Sequence, residues 1–310
     1  MRSKVVLDVA GQVVPAEVLD RYDPDTCDPA LAVFKRTKLF ESDEELTTRT
    51  AVTDRLAALH VPVAPVIRAL DGSAWVRDAT GTAYLVSQRL ISRAGPIELA
   101  GLSTWSVIGH QLGVLHTALA ECDELAGTTF SIDPVKVMTG TVWDTLVNTG
   151  TLGNERLVRI NQARLAAAVA DLPVTRLHGD CHGGNLLADS EGLYGVIDID
   201  HLPVGPRVCD LASYAADLLR NRDSLRGRVV AIIAAVIAGY HRHTALTARE
   251  VLAIVPAMIT YELGMIHWFI GETGGEHQQI HLEVLDSILD TTDDLTMVLL
   301  KGRRVATEPT

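Results

Sequence analysis

His178-Gly179-Asp180-Cys181-His182-Gly183-Gly184-Asn185, followed by Ile197-Asp198-Ile199-Asp200 and then by Gly205 and Asp210-Leu211-Ala212, is the stretch on which the reading of this chain turns. Asp180 follows a short apolar run and precedes a glycine-rich turn, where the backbone bends sharply and leaves room for a bound phosphate. An aspartate on such a loop accepts and orients the proton of an attacking hydroxyl. Asn185 offers a carbonyl oxygen to Mg2+, and Asp198, at the end of the apolar strand Leu193 to Ile197, offers a carboxylate to the same ion. Few protein oxygens suffice for Mg2+, because phosphates and water complete its shell. One base and two metal ligands suit phosphoryl transfer, in which the protein mainly positions the nucleophile and neutralises phosphate charge. A hairpin with polar surface residues accounts for either aspartate alone. It does not account for both on opposite arms with an asparagine between them.

Working outward, the 310 residues suffice for two domains or for one domain in two lobes, and 47% hydrophobic with 21% charged residues is an ordinary globular mixture. A net charge of −12 argues against nucleic acid or an anionic membrane as partner and is compatible with a cationic small substrate. Cys27, Cys122, Cys181 and Cys209 are scattered without CxxC spacing, which predicts a reduced, cytoplasmic protein. The N-terminus reaches Asp8 too soon for a signal peptide. The most apolar run, Val229 to Gly239, is shorter than the roughly 20 residues a bilayer needs and predicts a buried core helix.

Two regimes follow along the chain. Val5–Val9, Leu31–Phe34, Ser73–Val76 and Tyr84–Ser87 predict strands, and Asp71-Gly72 predicts a hairpin turn. Ser42-Asp43-Glu44-Glu45 opens a helix running to about His60, with Val52, Leu56 and Leu59 on one face. Beyond residue 90 the periodicity is helical over Trp105–Glu121, Arg156–Leu172, Val229–His241, Ala248–Trp268 and His281–Leu300, interrupted by a compact strand-like segment from Arg176 to Val204. The expectation is an α+β architecture, with a small β-rich lobe over residues 1–88 and a larger, mainly helical lobe over 89–310.

His178-Gly179-Asp180, then Asn185, Ile197-Asp198 and Gly205 with Asp210-Leu211, in this order and spacing, resemble the signature of the aminoglycoside phosphotransferase and choline kinase superfamily, kinase-like folds acting on small molecules. The resemblance implies a bilobal protein-kinase-like fold with Asp180 as catalytic base and Asn185 and Asp198 as Mg2+ ligands. His178 and Asp210 become structural support, Asp210 as a buried carboxylate bracing the catalytic loop. Val33-Phe34-Lys35-Arg36 resembles the strand whose lysine holds the nucleotide phosphates. The helix acid that orients this lysine falls on Glu45, although Ser42-x-x-Glu45 equally reads as a capping box. Tyr84 to Leu90 resembles the hinge strand, so that Gln88 and Leu90 face adenine, and Leu115-His116 corresponds to a packing pair. The chain departs from the kinase pattern in lacking a GxG loop, since Gly11 is the only glycine before Gly72.

The implied cofactors are ATP or GTP with Mg2+, and the implied acceptor is a small hydroxylated, amine-bearing molecule bound by a monomer or homodimer. Antibiotic, amino alcohol, amino acid and sugar acceptors all remain open. Tyr261-Glu262, His267-Trp268, Glu272 and Glu276 form a polar-aromatic stretch able to hold an amine, although Trp268 and Ile266 at helical spacing equally read as core. Asp200 and His201 read either as acceptor contacts or as a solvated loop. Two other readings compete. A kinase-like fold without catalysis would show loss of Lys35, Asp180, Asn185 or Asp198, and all four are present. The GDxHG string also opens binuclear metallophosphoesterases, whose further GD and GNH motifs are missing downstream.

Overall fold

The computed structural model describes residues 6–24, 28, 31–37, 42–122, 131–221, 223–225, 227–271 and 275–307. Cys27, Glu272 and the start of the strand expected over Val5–Val9 lie outside them. A short helix α1 (Ala16–Leu19) precedes strand β1 (Ala32–Arg36), helix α2 (Asp43–Ala58) and strands β2 (Trp75–Arg77) and β3 (Ala83–Gln88). The three strands form an antiparallel sheet in the order β1-β3-β2, with Lys35 opposite Leu85 and Phe34 opposite Val86. Strand alternation sorts the side chains. Ala32, Phe34, Tyr84 and Val86 pack with Val6, Val14, Val18 and Tyr22 into a small core, while Val33, Lys35, Leu85 and Ser87 face a cleft on the other side. The turn expected at Asp71-Gly72 does form, between Ala69 and Ser73. The loop that pairs β2 with β3, however, is Asp78 to Thr82, where the Asp78 carboxylate accepts from Thr80 and Thr82.

The larger part begins after a 3-10 turn at Ile97–Leu99, with α3 (Leu102–Ala120), α4 (Pro134–Thr139), α5 (Thr141–Asn148), α6 (Gly153–Arg159) and α7 (Gln162–Val169). The single helix expected over Arg156–Leu172 is thus two. Ile160 leaves the helical region, and the Asn161 side chain caps the new start by accepting from the Arg164 N–H. Next come β4 (Val174–Arg176), β5 (Leu186–Asp189), β6 (Gly192–Val196), β7 (Val204–Pro206), α8 (Val208–Arg220), α9 (Val229–His243), α10 (Ala248–Trp268) and α11 (Glu276–Thr307). β4 pairs with β7, and β5 with β6.

The run Val229 to Gly239 is a core helix, as its composition implies, and it touches α3 backbone to backbone. A Cβ on Gly239 would fall 1.9 Å from the Ser106 carbonyl oxygen, and one on Gly109 1.8 Å from that of Val236. Among the described residues α10 is the helix long and apolar enough to cross a bilayer. Its apolar side is packed against α8 and α11. Val52 and Leu56 of α2, with Val61 and Val63 after it, join this larger core rather than the small one, so α2 is anchored to the larger part.

Candidate active site

The loop between β4 and β5 is held from beneath. Gly179 lies at φ +86°, and a Cβ there would meet the Pro203 ring at 2.5 Å, so only glycine fits. Asp210, 2% exposed in the first turn of α8, accepts the N–H of His178 at 2.8 Å, that of Gly179 at 3.0 Å, and Nε2 of His116 at 3.0 Å. His116 is completed by the Tyr240 hydroxyl at 2.8 Å, which makes it support for Asp210. Burial opposes ionisation of Asp210, but the hydrogen bonds from His116 and the loop N–H groups keep the carboxyl below the usual range. His178 ties the two arms of the motif together, its Nε2 donating to the Ile197 carbonyl at 2.9 Å and its Nδ1 accepting the Asp180 N–H at 3.3 Å.

Asp180 emerges into the open side of this loop. The Asn185 side-chain N–H donates to the Asp180 carboxylate and to its backbone carbonyl, both at 3.0 Å. The amide is thereby oriented, and its carbonyl oxygen remains for a cation. His182 Nε2 stands 3.6 Å from the Asp180 carboxylate. This contact, against the opposing effect of burial, holds Asp180 below the usual carboxylate range and raises His182 above the ordinary imidazole value. At the far end of the loop, the Gly183 N–H donates to Asp217 of α8 at 2.8 Å.

The hairpin β5–β6 sets the metal-ligand candidates side by side. Leu186 pairs with Val196 and the Ile197 N–H donates to the Asn185 carbonyl, so Asp198 follows at the same open end as Asn185. Asp198 sits at φ +61°, a conformation that costs energy for a non-glycine residue and is held by its surroundings. Lys35 forms ion pairs with both Asp198 and Asp200. Burial pushes Asp198 up, but the bond and charge of Lys35 outweigh it and hold the carboxyl below its usual range. Arg49 of α2, 9% exposed, reaches Asp200 at 3.2 Å. These groups, with Asn185, Gln88 and Leu90, line one cleft of about 420 Å3 whose other walls include Val33, Val66, Leu85, Leu187 and Val196.

Several expected placements are corrected. Glu45 does not orient Lys35. Its carboxylate accepts the Ser42 N–H at 2.8 Å while the Ser42 hydroxyl accepts the Glu45 N–H, a complete capping box on the exposed helix start. Asp200 is not part of a solvated loop, since it pairs with Lys35 and Arg49 within the cleft. Glu262 is fully buried against His281 at 2.6 Å, and burial raises its pKa, so it is no surface ligand. Ile266 is core, whereas Trp268, the last residue of α10, is 78% exposed and lines none of the described cavities. Cys181, beside Asp180, is buried, and burial pushes its thiol well up, which leaves it a packing residue.

Three residues at the site escaped the sequence reading. His182 was read only as part of the turn. Arg49 sits one helical turn beyond Glu45. Asp217 follows Asp210 by seven positions, two helical turns, and this spacing was the available signal that both carboxylates face the loop. Asp217 also borders a second cavity of about 330 Å3 beneath Gly183 and Gly184, shared with Glu98, Trp105, Tyr214, Asn221 and Ser224.

Similarity to known proteins covers most of the chain. The profile of the phosphotransferase enzyme family matches residues 25–252. A homoserine kinase of Zymomonas mobilis subsp. mobilis is 27% identical over 225 residues, which is 68% of this chain; the chain spans 65% of that relative's length. Among solved structures, an aminoglycoside phosphotransferase from Alicyclobacillus acidocaldarius subsp. acidocaldarius superposes with a TM-score of 0.65 at 15% identity, covering 94% of this chain and 96% of that one. An amicoumacin kinase in complex with AMP-PNP and Ca2+ gives a TM-score of 0.60 at 15% identity over 84% of this chain and 82% of that one.

Proposed function

This chain belongs to the phosphotransferase enzyme family, and on that premise we propose that it transfers the γ-phosphoryl group of ATP or GTP to a hydroxyl of a small molecule. The observation that carries the reading is the convergence of Lys35, Asn185 and Asp198 on one cleft, with Asp180 held to Asn185 at its edge. Asp180 accepts the proton of the acceptor hydroxyl and aims its oxygen at the γ-phosphorus; the nucleoside diphosphate leaves on the opposite side. Ionised at neutral pH, Asp180 serves by orientation more than by basicity. Lys35 turns from Asp198 to the phosphates while keeping its pair with Asp200. The free carbonyl oxygen of Asn185 and the carboxylate of Asp198 suit Mg2+, a hard cation content with few protein oxygens, and when bound it would neutralise charge on the transferring phosphates. Gln88 and Leu90 would flank the adenine.

The acceptor we favour is a hydroxylated amine of amino-alcohol or amino-acid size. The second cavity supports this choice, since Gly183 and Gly184 of the catalytic loop line it together with two carboxylates, Glu98 and Asp217, the latter also paired with Arg220 at 3.4 Å. The similarity to a homoserine kinase points the same way. The test is ADP or GDP release with Mg2+ and a panel of homoserine, 1-amino-2-propanol, choline, an aminoglycoside and glucose. We expect release with one of the amines, and at least about a hundredfold loss in Asp180→Ala with nucleotide affinity kept within a few fold. No nucleotide binding, or full turnover in that variant, would overturn the reading.

A further inference from the structure

Kinase-like sites fix their phosphate-binding lysine with a carboxylate from the helix of the small lobe. Here α2 presents no carboxylate to the cleft. The α2 residues that line it are Arg49, Thr50 and Thr53, and the nearest acid toward its start, Glu45, is spent on the capping box. The acid beside Lys35 comes instead from the other side, two residues past the metal-ligand candidate. It is in turn held by Arg49 at 3.2 Å.

We propose, resting on the phosphotransferase reading, that Asp200 replaces the helix carboxylate as the anchor of Lys35, and that Arg49 is the positioning residue that fixes Asp200. The arrangement has a physical reason. Lys35 pairs with two carboxylates, and Asp198 must turn to a cation when nucleotide binds. Asp200 then remains as the group that holds the lysine in line with the phosphates. A lone carboxylate beside incoming phosphates would repel them; the Arg49 guanidinium, with one nitrogen 3.2 Å from an Asp200 oxygen, offsets that charge and keeps the carboxylate beside Lys35. Lys35 and Arg49 both belong to the first 90 residues and Asp200 to the motif segment, so the chain Arg49–Asp200–Lys35–Asp198 also ties the two sides of the cleft together.

The experiment compares wild type with Asp200→Asn, Arg49→Gln, Arg49→Lys, the Asp200→Asn/Arg49→Gln double variant and Glu45→Gln. For each, turnover is measured with the best acceptor of the panel, and affinity is measured for ATP and for adenosine, which lacks phosphates. The expected result is a turnover loss of about tenfold or more in Asp200→Asn and in Arg49→Gln, the size of one charged hydrogen bond. The double variant should be no worse than the poorer single one. Arg49→Lys should recover part of the activity, Glu45→Gln should match wild type, and adenosine affinity should stay constant throughout. Asp200→Asn with unchanged turnover and tighter ATP would overturn the proposal, as would losses that multiply or that fall equally on adenosine. If Glu45→Gln were the damaging change, the helix acid would be the anchor after all. A wild type that binds no nucleotide would instead sink the phosphotransferase reading itself.

Discussion

Replacing Asp210 with asparagine is the sharpest test of how the catalytic loop is held. Its Oδ1 accepts the Gly179 N–H, and its Oδ2 accepts both the His178 N–H and His116 Nε2. Asparagine has the same shape and only one acceptor oxygen. Placed in the Oδ2 position, that oxygen keeps two partners, and the new NH2 then points at the Gly179 N–H, donor against donor. One buried backbone N–H left without an acceptor costs about 1–3 kcal/mol, and each surviving bond falls from the charged to the neutral range, a loss of about 1 kcal/mol apiece. The sum is about 3–5 kcal/mol, a large part of the roughly 5–15 kcal/mol that holds an ordinary domain together. At about 2–4 °C per kcal/mol, the melting temperature should drop by roughly 6–20 °C, toward the lower end for a chain of this length.

The pH dependence gives the same experiment a sign. The folded pKa of Asp210 lies below its usual value, so its contribution is complete above the unfolded value of about 3.9 and is lost as pH falls through the folded one. Urea denaturation should therefore show the wild type and Asp210→Asn far apart at pH 7, with the gap closing only below about pH 4. Turnover should fall in parallel at pH 7, because Asp180 follows the two residues whose N–H groups have been disturbed. A variant within about 1 kcal/mol of wild type at pH 7, or a gap that widens on acidification, would refute the account of Asp210 as the brace.

Other consequences are simpler. Gly239→Ala should destabilise by about 1–3 kcal/mol or more in urea, since its methyl group would overlap the Ser106 carbonyl; Gly264→Ala, on α10 with nothing within 4 Å, should instead gain up to about 1 kcal/mol. Asp180→Asn should lower the His182 pKa followed by NMR, because the contact with Asp180 is what raises it; an unchanged titration would remove that contact. Ser42→Ala should cost about 1 kcal/mol of stability through loss of the cap and leave turnover untouched; a fall in turnover would return a catalytic role to this helix start.

The parts of the site that could be read from the chain are those fixed by short-range geometry. Asp180, Asn185 and Asp198 lie on one loop and one hairpin, and strand register alone brings the asparagine and the second aspartate to the same end. The bracing role of Asp210 likewise follows from the first turn of the helix after the motif. The partner of Lys35 was hidden for the opposite reason. Ser42-x-x-Glu45 supports a local bond three residues long and a remote one across the cleft, and the local bond closes the shorter loop at the smaller entropic cost. Nothing along the chain distinguishes the two. Arg49 and Asp200 are 151 positions apart by number and meet only because α2 is pinned to the larger core by Val52 and Leu56. Trp268 failed for a simpler reason. Two residues past Ile266, it lies about 200° away around the helix axis, and as the last residue of α10 its ring is left in solvent. Periodicity reports which side of a helix is apolar. Residues i and i+2 never share that side, so the turn of α10 that buries Ile266 points Trp268 the other way.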